Sequence, residues 1–295
     1  GNLFSYTINP STGQLPTSNP SSGQSASWNA ASSLASKNWS SRIFASFNGS
    51  SGAPWTPAAI GHILNPANSI HPNTLQLMNW IQGDSSLESI SFKKRLSPLA
   101  PTGWHAQPAL TQSSSYVYVP SASGILHAFS KSTGEEAWAY VPGFAAPLAA
   151  ASALHSSPNS FILDSSPIIV SLSDNSRILL SGGSLSSTGF FALDITSEAA
   201  QSSEDLAKKV LWEFPNASTP SSTKNLIGQS FYPPTYMKSP SMGDVIAIPG
   251  GYNSSSSHQA TLFLLNAKTG QLLKTIQASG PNSGPSGISQ LTAPV

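Results

Sequence analysis

The sequence predicts an all-β chain, an incomplete β-propeller built from enlarged four-stranded antiparallel blades with short helical insertions. Three observations predict it. A strand–turn–strand unit recurs with Thr-Gly closing its turn, prolines open successive units at nearly constant steps, and the composition is poor in charge. Charged residues make up only 8% of the 295, against about 25% in an ordinary soluble domain. Serine, threonine, asparagine, 22 glycines and 24 prolines take their place, which suits many short strands better than long helices. A hydrophobic content of 39% with 7 tryptophans supplies a core and argues against disorder.

The repeat is clearest in two ungapped copies. Gly124-Ile125-Leu126-His127-Ala128-Phe129 leads through Ser130-Lys131-Ser132-Thr133-Gly134 to Glu136-Ala137-Trp138-Ala139-Tyr140. Ala260-Thr261-Leu262-Phe263-Leu264-Leu265 leads through Asn266-Ala267-Lys268-Thr269-Gly270 to Leu272-Leu273-Lys274-Thr275-Ile276. Glycine at the end of each turn supplies the positive φ that closes the hairpin with a bulge. A looser copy, Gly1 to Tyr6 with Thr12-Gly13, has a turn two residues longer, and Gly189–Asp194 with Val210–Phe214 is the same hairpin with its turn expanded.

Each hairpin is preceded by two more strand candidates. They begin near Pro108, Pro167, Pro234 and Pro294, at steps of 59, 67 and 60 residues. Proline has no N–H to donate and belongs at the start of a strand. Four antiparallel strands at a fixed period mark a propeller blade. Whole blades are therefore expected at 104–142, 164–215 and 232–276. A hairpin of a first blade occupies 1–20, and a further blade starts within 277–295. Residues 24–100 interrupt the pattern and read as helical insertions, with Asn73 as an N-cap and Gly83 as a stop for a helix carrying Leu77 and Ile81 on one face. Trp138 and Trp212 fall at matching last-strand positions and are expected to pack between blades.

Several function classes find no support. The basic residues are scattered apart from Lys93-Lys94-Arg95, a solvated turn rather than a nucleic-acid surface. The absence of cysteine removes disulfides, thiolate metal sites and cysteine nucleophiles. No run approaches the ~18 apolar residues of a membrane helix. Gly1 is no natural start, so the chain reads as a fragment and its first residues do not speak to export. The 12 carboxylates sit mostly in turns and at strand ends, and the histidines (His62, His71, His105, His127, His155, His258) lack metal-ligand spacing. His127, flanked by Leu126 and Ala128, is expected to pack inside a blade with one ring nitrogen satisfied. No catalytic, cofactor-binding or metal-ligating residue is assigned.

These motifs resemble the C-terminal propeller domain of the PilY/PilC family of type IV pilus tip-associated proteins. The resemblance is carried by Val117-Tyr118-Val119 with Gly124–Phe129 and Thr133–Trp138, by Asp164-Ser165-Ser166-Pro167, Phe191–Thr196 and Gly250-Gly251-Tyr252-Asn253, and by Leu77–Asp84 before Phe92-Lys93-Lys94-Arg95. Trp28-Asn29-Ala30-Ala31 through Arg42-Ile43-Phe44 is similar to the family's tryptophan-alanine-alanine helix and following strand. Two departures stand out. Ala122-Ser123 replaces the usual Asn-Asp, and Gln82 replaces the arginine of an Arg-Gly-Asp-like stop, so integrin-type recognition does not carry over to that site.

The resemblance implies a non-enzymatic pilus biogenesis factor and tip adhesin, exported to the pilus tip, outer membrane or cell surface of a Gram-negative bacterium. Minor pilins of the tip complex are the implied partners, with an unnamed host or surface receptor, and nucleic acid is not among them. No cofactor is expected within the chain. Calcium enters only through the family's Asp-rich loop, which would follow Val295. The alternatives are a pyrroloquinoline-quinone-type propeller dehydrogenase, disfavoured by the few carboxylates and missing cysteines, and a ligand-free propeller scaffold.

Overall fold

The computed structural model describes residues 1–16, 26–102, 105–157, 160–184, 186–230, 232–252 and 260–278. The predicted opening of a further blade at Pro294 lies outside them. The first described pair of strands, β1 (Phe4–Ser5) and β2 (Trp28–Asn29), is antiparallel, with Ser5 opposite Trp28. Helix α1 (Ala30–Ser36) follows directly, and the Asn29 side chain caps it by accepting the Ser32 N–H. Next come β3 (Phe44–Phe47), β4 (Gly52–Pro54), α2 (Pro57–Leu64) and α3 (Thr74–Gln82). Asn73 caps α3 and Gly83 ends it at φ 125°, as the sequence predicts.

The first large sheet contains β5 (Tyr116–Pro120), β6 (Leu126–Ser130) and β7 (Glu136–Val141). The strand expected near Pro108 shrinks to a single bridge between Ala109 and Tyr118. Pro108 cannot donate, and the Gln107 N–H is committed to Ser166 Oγ at 3.0 Å. The sheet is instead extended on its other side. Strand β3 runs parallel to β7 and antiparallel to β4, giving the order β4-β3-β7-β6-β5.

After α4 (Ala146–Ala151), β8 (Ile168–Ser171), β9 (Arg177–Gly182), β10 (Phe190–Asp194) and β11 (Val210–Phe214) form a four-stranded antiparallel meander, with α5 (Ser203–Lys209) inside the expanded turn before β11. After α6 (Ser221–Lys224), β12 (Thr235–Ser239), β13 (Gly243–Pro249), β14 (Thr261–Asn266) and β15 (Leu272–Gln277) repeat that meander. Helices α4 to α6 lie beyond the stretch in which insertions are expected. They are 4 to 7 residues long, too short for a helical period to show in sequence.

Successive sheets stack face to face, which is the propeller arrangement. Along β9 and β10, Leu179, Phe191 and Leu193 face the core shared with the first large sheet. Ile178, Leu180, Phe190 and Ala192 alternate with them and face Ile246, Ile248, Phe263 and Leu265 of the next. A strand buried on both faces has no polar face to show, so these strands read as continuous apolar runs.

Each interface is pinned by a tryptophan that the repeat itself positions. Trp212 on β11 is 2% exposed and donates its Nε1–H to Ala267 O at 2.9 Å, in the β14–β15 turn of the next blade. Trp138 on β7 likewise donates to Glu198 O at 2.8 Å, in the β10–β11 connection. Trp28 donates to Lys131 O at 3.0 Å, in the β6–β7 turn. Lys131 and Ala267 are the same turn position, so Trp28 is a third copy of a residue for which sequence matching finds two.

The glycines of these turns serve the docking twice. Gly134 and Gly270 adopt φ of 71° and 68°, and a Cβ on either would lie 2.5 Å from the Trp28 ring or 2.4 Å from the Trp212 ring. The N-terminal turn has the same form. Gly13 N–H donates to Asn9 O at 2.8 Å, as Gly134 does to Ser130 O at 2.8 Å and Gly270 to Asn266 O at 2.9 Å. Its two extra residues therefore precede the turn. The strand returning from it is not the one directly after Gly13 but β2, beyond residues 17–25, which lie outside the described residues.

Candidate functional site

In a chain so poor in charge, a buried carboxylate on a blade strand stands out. Glu136 opens β7, is 2% exposed and meets Arg42, which the insertion brings in just before β3. Arg42 Nε donates to Glu136 Oε2 at 2.6 Å and Nη2 to Oε1 at 2.7 Å, a bidentate pair. His127, across the β6–β7 ladder, places Nδ1 at 2.7 Å from the same Oε1. Arg42 Nη1 donates to Gln82 O at 2.5 Å and Gln82 Nε2 returns a bond to Arg42 O at 2.7 Å. The residue that departs from the Arg-Gly-Asp pattern thus braces the arginine of this network.

Burial alone would raise the Glu136 carboxyl. The Arg42 charge, its hydrogen bonds and His127 outweigh that and hold it well below the usual carboxylate range. Burial is the largest influence on His127 and pushes it down, only partly offset by Glu136. The ring is therefore neutral at physiological pH, with Nδ1–H donating to Glu136 and Nε2 an acceptor. His127 packs against Phe129 with ring centres 5.4 Å apart. One nitrogen is satisfied, as expected from sequence, while Nε2 has no partner among the described residues.

His127 and Arg42 line a cavity of about 440 Å³. Its walls come from the end of α3, from residues 93–101, from the turn before β6 and from α4. The basic triplet borders it, and Arg95 departs from the expected solvated turn. Arg95 bonds Glu88 Oε1 at 2.6 Å, Trp80 O at 2.6 Å and Asp84 O at 2.8 Å, tying the segment to the C-terminal end of α3. Lys94 is exposed.

The other notable carboxylates join neighbouring blades. Asp164 accepts the backbone N–H groups of His105 and Ala106 at 2.8 and 3.1 Å and sits 2.7 Å from His105 Nδ1. This is the physical content of the Asp-Ser-Ser-Pro motif. Asp244 accepts Ser173 N–H at 3.0 Å, and Glu198 accepts Ser115 N–H at 2.6 Å. Among the described residues no three His, Cys, Asp or Glu side chains gather as a metal-binding group.

Glu213 is buried on β11 and reaches into the preceding blade, accepting Tyr140 O–H at 2.5 Å and Gly143 N–H at 2.8 Å. Burial dominates over these bonds and raises its carboxyl from 4.5 to about 7. A raised native value favours the folded state while the group is protonated, and that advantage is lost as pH climbs through the native value. Stability is expected to fall by about 3 kcal/mol between pH near 4.5 and pH above about 7 through this group alone. Urea unfolding across that range, compared with Glu213→Gln, measures it. The variant's curve should be flatter by that amount, and parallel curves would contradict the assignment.

Sequence inspection assigns no site residue, and the Arg42–Glu136 pairing explains why. The partners are 94 positions apart, and the sole available signal is a charge at the head of an apolar strand.

No family model matches the chain. It is 27% identical over 251 residues to the type IV pilus biogenesis factor PilY1 homolog of Xylella fastidiosa, covering 72% of this chain and 16% of that protein. To PilY1 of Pseudomonas aeruginosa it is 27% identical over 203 residues, covering 65% of this chain and 16% of that one. The chain resembles PilY1. Its repeat motifs carry the same resemblance, and it spans about one-sixth of the length of these relatives. Among solved structures, the C-terminal domain of Pseudomonas aeruginosa PilY1 is similar over 58% of this chain and 31% of its own, at 24% identity and a TM-score of 0.41. BamB of Moraxella catarrhalis is similar over 63% and 41%, at 13% identity and a TM-score of 0.32.

Proposed function

We propose that this chain is propeller from a type IV pilus biogenesis factor and works by binding and assembly rather than catalysis. The sequence similarity to PilY1 over about two-thirds of the chain carries the proposal. The protein acts outside the cytoplasm, at the pilus or cell surface of a Gram-negative bacterium, with components of the pilus tip as partners, and it promotes attachment. Residues 1–295 supply no quinone or calcium site of their own. Two features support a binding role. The buried carboxylates are committed to structural bonds, Glu136 to Arg42 within the first large sheet and Asp164 and Glu213 across to the preceding blade, and the serine- and asparagine-rich loops offer an adaptable, weakly charged polar surface. Among the described residues no helix is long and apolar enough to cross a membrane.

The test is deletion of the parent gene, with counts of surface pili and attached cells. Both should fall together. Normal piliation in the deletion strain would remove the pilus reading.

A further inference from the structure

The turn of the N-terminal hairpin is built as a tryptophan seat, yet no tryptophan among the described residues occupies it. Asn9-Pro10-Ser11-Thr12-Gly13-Gln14-Leu15 matches Asn266-Ala267-Lys268-Thr269-Gly270-Gln271-Leu272 at five positions. The two turns also share their hydrogen bonds. Asn9 N–H donates to Gln14 O at 2.9 Å, and Asn266 N–H to Gln271 O at 2.8 Å. The Asn9 side chain accepts the Ser11 and Thr12 N–H groups at 2.9 and 3.3 Å. The Asn266 side chain accepts those of Lys268 and Thr269 at 3.0 and 2.9 Å. Gly13 and Gly270 have φ of 69° and 68°. Pro10 O therefore holds the place of Ala267 O, which accepts the Trp212 indole N–H, and of Lys131 O, which accepts that of Trp28.

What differs is the cover. Gly134 and Gly270 are buried against the Trp28 and Trp212 rings. Gly13 is exposed, and a Cβ on it would meet nothing within 4 Å among the described residues. Leu272 packs in the cluster that holds Trp212, whereas its counterpart Leu15 is 46% exposed.

Trp28, Trp138 and Trp212 each reach forward into the next blade, so the donor for this turn belongs to the blade before it in the ring. Strand β15 does not carry one. Trp138 stands opposite Ala128 and Trp212 opposite Ala192, and in the same register Lys274 stands opposite Leu264. A second copy of residues 1–295 set head to tail would bring a lysine to the seat, which has no ring to cover the glycine. This chain spans only 16% of the length of its PilY1 relatives, which leaves ample length for another blade in one polypeptide.

We propose that the Asn9–Gly13 turn is the closing seat of the propeller, filled by a tryptophan on the last strand of a further blade, in the same polypeptide but outside residues 1–295. Its ring stacks on Gly13 beside Leu15, and its N–H donates to Pro10 O. This closure follows from the blade repeat and does not depend on a role at the pilus.

Glycine-to-alanine exchange in the full-length parent protein tests it. Gly134→Ala and Gly270→Ala force a Cβ against an indole. Gly243→Ala is the control, because Gly243 has φ 75° and a Cβ there meets nothing within 4 Å, so alanine adds only the strain of a positive φ. Gly13→Ala should lower the midpoint of thermal unfolding several degrees further than Gly243→Ala, in line with Gly134→Ala and Gly270→Ala. A photoreactive residue in the same turn, Ser11→p-benzoylphenylalanine, should cross-link within the polypeptide to a tryptophan-bearing peptide outside residues 1–295. If Gly13→Ala does not fold, the cross-link alone decides. A Gly13→Ala shift no larger than that of Gly243→Ala would overturn the proposal, as would a cross-link to a second protein or to any other segment, or none.

Discussion

Replacing Arg42 with methionine is expected to lower the unfolding free energy by about 3–5 kcal/mol, the range for breaking a buried ion pair by removing one partner. The Glu136 carboxylate would be left with a neutral imidazole and no ion-pair partner among the described residues, the Lys37 ammonium being bonded to the Glu136 backbone carbonyl. Its carboxyl, now held below the usual range by the guanidinium, would rise, and the variant would unfold more readily at neutral pH than in mild acid. Methionine keeps most of the apolar volume of the arginine stem, so the loss is chiefly electrostatic. The double variant Arg42→Met, Glu136→Gln should regain much of the stability, because the uncompensated charge is gone. Urea unfolding of the three proteins decides the matter. A loss below about 1 kcal/mol in Arg42→Met would mean that Glu136 finds compensation elsewhere.

Truncation of the blade tryptophans should be as severe. Trp138→Ala and Trp212→Ala are each expected to cost about 3–5 kcal/mol, the range for emptying a large aromatic site in a packed core. Each ring fills the space between two sheets, and its N–H satisfies a carbonyl in the next blade. The alanine variants leave that carbonyl without its donor as well as a cavity. Phenylalanine at either site should cost less, since it refills most of the space but not the hydrogen bond. Thermal or urea unfolding measures both series. Changes below about 1 kcal/mol at both positions would show that the blades are held together by other contacts.

The parts of this fold that sequence reveals are those governed by local rules. Thr133-Gly134 and Thr269-Gly270 announce their turns because only glycine tolerates both that φ and a ring stacked against its α-carbon. Asn73 and Gly83 delimit α3 through capping chemistry confined to a few residues. Trp138 and Trp212 are found by counting from those turns. Trp28 escapes because residues 17–25 separate it from its turn and break the count. Strand β3 is indicated by the resemblance, which implies a strand after the first helix, but not by alternation, since all four residues from Phe44 to Phe47 are buried, and its parallel pairing with β7 about 95 residues away has no local signal.

The candidate site was less legible still. Its polar atoms come from β6, β7, the approach to β3 and the end of α3, and no spacing rule links them. His127 reads as a core histidine, which it is. That its second nitrogen is left buried without a partner among the described residues follows from Glu136 taking the first, a fact of packing between strands.

The functional account rests most heavily on the claim that the chain serves a pilus and that its carboxylates hold the fold rather than catalyse. Counting surface pili on cells deleted for the parent gene and supplied with plasmid copies tests both halves together. Empty vector should leave few pili, while the unmodified gene and folded Asp164→Asn, Asp194→Asn (its carboxylate accepts the Thr196 N–H at 2.8 Å) and Glu213→Gln versions should restore them to similar numbers. Cells with empty vector that are normally piliated would contradict the assignment to pilus biogenesis, and a folded amide variant that fails to restore pili would contradict the structural role of its carboxylate.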